Sequence, residues 1–511
     1  MREHASRPRT GSLDGSVSKN ESRAATLRQG VEARVRHALA VAEAVPLPGW
    51  STPLAVATLA MLVVQSLDHR YVRGNLTLSL IVSLALALLF AALYSALRSP
   101  DWRLMRAKYR PATALLIGIL AANTLLHAAL AVPHLVQANR YGTDAGAATD
   151  CATQMFLRNQ NPYANLHMLV CLDKHHLAFN QTTPKSAGNF KKFVTFAAPD
   201  PKTIGYQMWL WYGKDLAREQ ADKHYPYHYA APEFEDRFNY PGGAILFGMI
   251  GWVFGTRDLV TLYLSCAVIA SLWIYSQAER RIRRAVGLLL LADLPLFVDS
   301  SYGTTDVLYA SLLVLYWYVR ERALTAGLIL GLAAATRQQV WFFLPFLLYL
   351  GWRTGGWGDL HRRLWPAVTV FLACNITFIV QSPGDWVSGV LGPMRDPLFA
   401  QGVGLVAMAI AVFKQHPGVP LIYTVFEALA FVGLFRLYMR RCLTAPGMAM
   451  ILPLIPIALG WRSLHTYFVV MPLLAIAVLA CPERGAAAGD QAAERPLSPE
   501  SPTIRLLSLR G

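Results

Sequence analysis

Five charged side chains stand where charge is costly or meets an interface, and they set the chemistry open to this chain. Asp144 and Asp150 lie in NRYGTDAGAATDCATQMFLRNQNPY, just beyond an apolar stretch that ends near residue 136. A carboxylate in that place can meet a lipid-borne substrate at the membrane interface. As ordinary loop acids, both would instead be solvated helix caps or partners of Arg140 or Arg158. Arg337 stands in AATRQQ between two apolar stretches, with Gln338 beside it as a second polar group for binding substrate. An ionisable residue between apolar helices is expensive and implies an anionic partner, for which phosphate fits. The bland alternatives are a guanidinium snorkelling to the interface, or an ion pair with Asp306. Asp306 could also position an acceptor. Arg462 and His465, in WRSLHTYF, fall on the same outer face and add to a phosphate site. Tyr240, like Tyr163 and Trp461, offers a ring to a sugar or prenyl group, or else an anchor in the interfacial aromatic belt.

Two further sets of side chains have residue types that bind metal or cross-link. His224 and His228 in KHYPYHY have metal-ligand spacing on a helix, but Pro226 between them opposes a helix and no HExxH pattern is present. No metal or other cofactor is expected. Of the 6 cysteines, only Cys151 and Cys171 fall in an external loop, where an oxidising compartment permits a disulfide beside Asp150.

The elements that position these groups are membrane spans. The 511 residues are 54% apolar and only 15% charged, against roughly 25% in soluble domains. The net charge of +16, from 47 basic and 31 acidic residues, therefore does not mark a nucleic-acid-binding surface, which would be far more charged overall. Stretches near the roughly 17–25 residues a span requires recur at 52–68, 76–97, 112–136, 259–277, 285–299, 306–319, 323–336, 338–352, 365–381, 419–437, 445–460 and 466–481. With 12 spans, the basic connectors at Arg98–Arg110, Arg280–Arg284, Arg320/Arg322, Arg353–Arg363 and Arg436–Arg441 share one side with the basic N-terminal tail. The positive-inside rule makes that side cytoplasmic. Two apolar stretches, 241–255 and 403–413, do not fit as spans and read as outer re-entrant or juxtamembrane helices, which must pack on protein. Counting both as spans gives a 14-span alternative.

The expected fold is thus an all-α polytopic membrane protein with about 12 transmembrane helices and a large folded external loop. Its parts are a flexible basic cytoplasmic tail (1–45), N-terminal transmembrane helices (46–137), an external loop with juxtamembrane helices (138–258), a transmembrane bundle (259–482) and a second flexible cytoplasmic tail (483–511). The segment 138–240 is close to neutral, with 11 basic and 10 acidic residues, and rich in Tyr and Trp. It reads as folded and external, with both termini cytoplasmic and the chain in the cell inner (plasma) membrane.

Several segments, taken in order, resemble the C-type (GT-C) superfamily of membrane glycosyltransferases, closest to the family 87-like mannosyltransferases. They are the TD…NPY opening of the external loop, FNYPGGAILF, SSYGTTDVLYASLLVLYWYV, LTAGLILGLAAATRQQVWFFLPFLLYLGWR and WRSLHTYFVVMPLL. Gly242 replaces the second proline of the family's Tyr-Pro-Pro segment, and the Gly-Gln-x-Asn pattern is absent. The resemblance implies an enzyme that transfers a hexose or pentose, with inversion, from a polyprenyl-phosphate sugar to a membrane-lipid or cell-envelope glycan acceptor on the outer face. Inversion needs a base for the acceptor hydroxyl, and Asp150 is the first candidate, Asp144 the second. Arg337, Gln338, Tyr240, Asp306, Arg462 and His465 would bind substrate, with no metal. The alternative from another class is a multi-span transporter or flippase of a lipid-linked or anionic substrate. It would place ionisable residues deep within spans, of which Asp293 in LLADLPL is the main instance.

Overall fold

The computed structural model describes residues 141–166, 171, 174–175, 238–253, 259–280, 283–395, 401–402, 405–406, 409, 420–464 and 466–481. Both expected tails, the first three expected spans, most of the external loop and His465 lie outside the described residues. What is described is almost wholly helical. Three helices are long and apolar enough to cross a membrane: Leu259–Gln277, Gln339–Gln381 and Leu421–Arg441.

Helix α1 (Asp144–Leu157) opens the described chain, capped by Thr143, whose hydroxyl accepts a hydrogen bond from the Gly146 N–H. A one-turn helix, α2 (Pro162–Asn165), follows. The stretch expected to be re-entrant is α3 (Gly243–Val253), packed on α1. Next come α4 (Leu259–Gln277), α5 (Arg283–Ala292), α6 (Leu294–Ser301), α7 (Asp306–Val319) and α8 (Ala323–Ala334). The expected span 285–299 is broken between α5 and α6. Pro295 in the first turn of α6 restarts the helix, and Asp293 at the break is buried, with neither carboxylate oxygen hydrogen-bonded to protein.

The expected spans 338–352 and 365–381 form one element, α9 (Gln339–Gln381), in which only Gly356 departs from helical backbone, at φ 71°. That left-handed residue turns the chain into a hairpin: Trp341 meets Phe371 across the arms with ring centroids 6.3 Å apart. The polar stretch expected as a connector is therefore mostly helix, supported by Asp359 and Arg363 paired one turn apart at 2.5 Å. Gly327 and Gly331 on α8 press on the Arg363 and Ala367 backbone of the second arm, so closely that any Cβ would collide with a carbonyl oxygen. Small residues four apart permit this backbone-to-backbone approach.

After α10 (Pro383–Arg395) and a two-residue strand β1 (Gln401–Gly402) comes α11 (Pro420–Arg441). The expected span 445–460 is a chain of 3₁₀ turns, Pro446–Met450, Leu452–Leu454 and Pro456–Leu459. Prolines at 446, 453 and 456 remove the N–H groups an α-helix needs. Strand β2 (Arg462–Ser463) pairs in parallel with β1. The chain then forms α12 (Thr466–Val469) and α13 (Met471–Ala480). Every residue of α13 is buried, against α4, α5 and α7, so this all-round apolar helix is the centre of the bundle.

Candidate functional site

The site grows from the elbow between α8 and α9. There Arg337 turns its guanidinium fork onto the carboxylate of Asp306, the first residue of α7. The Nε–Oδ1 distance is 3.0 Å and the Nη2–Oδ2 distance 2.9 Å. Only 5% of Arg337 and 1% of Asp306 is exposed, so this is a buried, bidentate pair. The guanidinium carbon also lies 4.2 Å from the centre of the Tyr240 ring. A cation desolvated against a ring face gains about 2 kcal/mol.

Tyr240 is held by both loop segments that flank it in space. Its carbonyl accepts the Tyr163 hydroxyl at 2.6 Å, and the Tyr163 ring packs edge-on against Phe238 and Phe378. Burial pushes the Tyr163 phenol well above its ordinary range and the Tyr240 phenol up to about 12, so both stay neutral donors at physiological pH. For Tyr240 the Arg337 charge opposes that rise, and the Asp144 charge adds to it.

Gln338 spends its amide on architecture, donating to the Asn239 carbonyl at 2.5 Å and the Val390 carbonyl at 2.9 Å. The two glycines that follow Pro241 are both required. The Gly242 N–H donates to Asn375 Oδ1 at 2.8 Å, and a Cβ there would strike the Cys374 carbonyl and the Phe378 ring. The Gly243 N–H donates to the Ala335 carbonyl at 2.9 Å, two residues before Arg337. A proline at 242 would remove one of these donors, which accounts for glycine there.

The two aspartates of α1 part company. Six residues of helix turn the second about 240° from the first, so they leave by different faces. Asp150 is buried and engaged: Oδ2 accepts from Gln154 at 2.7 Å and lies 3.1 Å from His175 Nε2, while Oδ1 accepts the Trp252 indole at 3.3 Å. Next to it, Cys151 and Cys171 form a disulfide, with Cα atoms 6.1 Å apart. These contacts tie α1 to α3, to Cys171 and to His175. The sulfurs and His175 Nε2 or Nδ1 fall within 4.8 Å of one another, but the sulfurs are bonded to each other rather than available as thiolates.

Asp144 is half-buried at the start of α1, where Oδ1 accepts its neighbour's N–H from Ala145 at 2.8 Å. Its charge acts on both Tyr240 and Tyr467. Tyr467, in α12, also feels Arg462, Arg337 and Asp306. Two tyrosines thus mark a common field of two carboxylates and two guanidiniums, drawn from α1, α7, the α8–α9 elbow and β2. Of the residues singled out in the sequence, Tyr240, Asp306 and Arg337 touch there, and the charges of Asp144 and Arg462 act on its tyrosines. Asp150 is turned to other partners, and Gln338 supports the wall.

Sequence reasoning missed Tyr467 and a set of buried polar atoms with no protein hydrogen bond, Asn239 Oδ1, Thr304 Oγ1, Thr305 Oγ1 and Tyr309 OH, to which the indole N–H of Trp461, named above for its ring, is added. Tyr309 lies in the field of Asp306, Arg337 and Tyr467, and Asn239, Thr305 and Trp461 each adjoin a residue of the cluster in sequence. A buried polar atom left without a partner costs about 1–3 kcal/mol, so such a set marks donors and acceptors ready for a polar ligand. The signal available was the run of hydroxyls in SSYGTTD directly before Asp306. Comparison with protein-family models, curated proteins and solved structures gives no significant match.

Proposed function

We propose that the chain is an integral-membrane glycosyltransferase with about 12 spans, using a polyprenyl-phosphate sugar as donor and a lipid-linked or cell-envelope glycan as acceptor on the outer face. The observation that carries this reading is the buried Arg337–Asp306 pair under Tyr240, with the half-buried carboxylate of Asp144 and the charge of Arg462 in the same field. In an inverting transfer the acceptor oxygen attacks the anomeric carbon as the bond from that carbon to the phosphate oxygen breaks. Asp144 takes the acceptor's proton, and Arg337 and Arg462 stabilise the charge left on the lipid phosphate. Asp306 positions the Arg337 fork and lowers the cost of burying it. Asp144 takes precedence over Asp150 as base because the Asp150 oxygens already have partners.

The test supplies the purified full chain in nanodiscs with radiolabelled polyprenyl-phosphoryl mannose, glucose or arabinose and a membrane extract as acceptor. Label should move from one donor to acceptor with the wild type and not with Asp144→Asn. Absence of transfer from every donor, or undiminished transfer by Asp144→Asn, refutes the reading. One observation favours the transporter alternative: Asp293, buried at a helix break and unbonded, is the kind of intramembrane carboxylate that carries ions in transporters. Substrate-dependent flux into proteoliposomes, lost in Asp293→Asn while no sugar is transferred, would decide for it.

A further inference from the structure

Besides Asp293, the mechanism leaves the carboxylate of Glu427 unused. Glu427 sits in α11, about 10 Å along the helix from Pro420 at ~1.5 Å per residue. The outward side of this helix is apolar and open: Leu421, Ile422, Val425, Phe426, Leu429 and Val432 are all exposed. Glu427 and Tyr423 are one turn apart and share the inward side, where α11 packs on the 3₁₀ turn Pro456–Leu459. There the carboxylate approaches the chain so closely that a Cβ on Gly460 would lie 2.9 Å from Glu427 Oε2. No hydrogen bond or ion pair joins the Glu427 carboxylate to any described residue.

The next residue, Trp461, brings a second group of the same kind. Its indole N–H is buried without a protein acceptor, and its ring meets Tyr423 at 5.3 Å between centroids, nearly edge-on. Arg462 follows and acts on Tyr467, which shares the field of Arg337, Asp306 and Asp144. The stretch 460–462 therefore runs from Gly460, against Glu427 on α11, to Arg462, whose charge acts on Tyr467. Its charged end suits phosphate. Its far end offers a strong acceptor, an indole donor and aromatic surface, which together suit the hydroxyls and C–H face of a sugar.

We infer that Glu427, Trp461 and Tyr423 form the sugar-binding wall of the same site, Glu427 accepting hydrogen bonds from hydroxyls of the donor's sugar. This rests on the glycosyltransferase reading above and adds to it the part of the protein that reads the sugar.

The experiment compares two short-chain lipids that differ only in the sugar: polyprenyl-phosphoryl mannose and bare polyprenyl phosphate. Binding of each is measured to wild type, Glu427→Gln and Trp461→Phe in nanodiscs, with glucose and arabinose donors in parallel. Glutamine keeps the size of Glu427 and phenylalanine keeps a ring at 461, and thermal unfolding checks that each variant is folded. The expected result is that Glu427→Gln weakens the preferred sugar lipid roughly tenfold, the range for a hydrogen bond to a charged group, and leaves the bare lipid unchanged. Trp461→Phe should weaken the same lipid by about threefold to tenfold. Equal weakening of both lipids by Glu427→Gln, or no change in either, overturns the inference while the phosphate site stands. A wild type that binds neither lipid overturns the glycosyltransferase reading, and the inference with it.

Discussion

The Arg337–Asp306 pair makes the sharpest prediction, because breaking it and removing it carry costs of different size. Both partners are buried and joined by two hydrogen bonds, at 3.0 and 2.9 Å. Asp306→Leu leaves a desolvated guanidinium without its carboxylate, against the Tyr240 ring; Arg337→Leu leaves a desolvated carboxylate. Losing one partner of a buried pair costs about 3–5 kcal/mol. Replacing both by apolar groups of similar volume is often neutral, or stabilising by about 1–4 kcal/mol. The order of stability should therefore be double Leu variant near wild type, with both single variants far below. Thermal unfolding of the four proteins in one detergent, followed by tryptophan fluorescence, gives that order. Transfer activity must follow a different order, since the double variant regains stability but lacks the Arg337 cation for the phosphate. Single variants as stable as wild type would refute the buried-pair argument. A stable double variant that still transfers sugar would refute the role given to Arg337.

Three further perturbations test the frame around the site. Asp150→Asn weakens the contacts to Gln154, Trp252 and His175, so it should lower the unfolding midpoint, with whatever protein remains folded still active; an inactive but fully stable variant would return Asp150 to the chemistry. Gly242→Pro removes the donor to Asn375 and strikes the Cys374 carbonyl, costing about 3 kcal/mol or more by loss of a buried hydrogen bond and by overpacking, read as a fall in the unfolding midpoint. Cys151→Ser/Cys171→Ser opens a loop with a sequence separation of 20, worth about 3 kcal/mol, and should lower the midpoint to the same value as reduction of the wild type.

The charged pair is legible in the sequence because burying charge between apolar helices is too costly to occur without a partner, and AATRQQ and TTDVLY each put one ionisable residue at the edge of an apolar run. The choice between Asp144 and Asp150 is not. Their spacing of six places them on different faces of α1, but which face meets the bundle depends on tertiary contacts. Thr143 donating to the Gly303 carbonyl at 3.2 Å and Gly142 N–H donating to the Tyr302 carbonyl at 2.9 Å dock the start of the helix beside α6. Tyr467, Tyr309 and the threonines are hidden for a related reason: hydroxyls within apolar runs are common, and only convergence in space gives them a role. Hydropathy makes 445–460 look like a span because it weighs side chains and not N–H groups. Prolines 446, 453 and 456 carry the opposing signal. The hairpin turn is equally visible in principle, since Gly356 belongs to a Gly-Gly pair, yet the surrounding charges suggest a loop.

The glycine contacts of α8 have a consequence for how this protein tolerates its membrane. Leu324 and Leu328 on that helix are exposed, whereas Gly327 and Gly331 lock it by backbone contact onto the second arm of α9. A bilayer that thickens or thins acts on the leucines, but the helix cannot slide or roll in response without driving its backbone into Arg363 and Ala367. Rolling by one residue would swing the elbow by about 100° and carry Arg337 off Asp306. The place of the guanidinium is therefore set by its protein neighbours, and the exposed Leu324 and Leu328 are free to change without retuning the site.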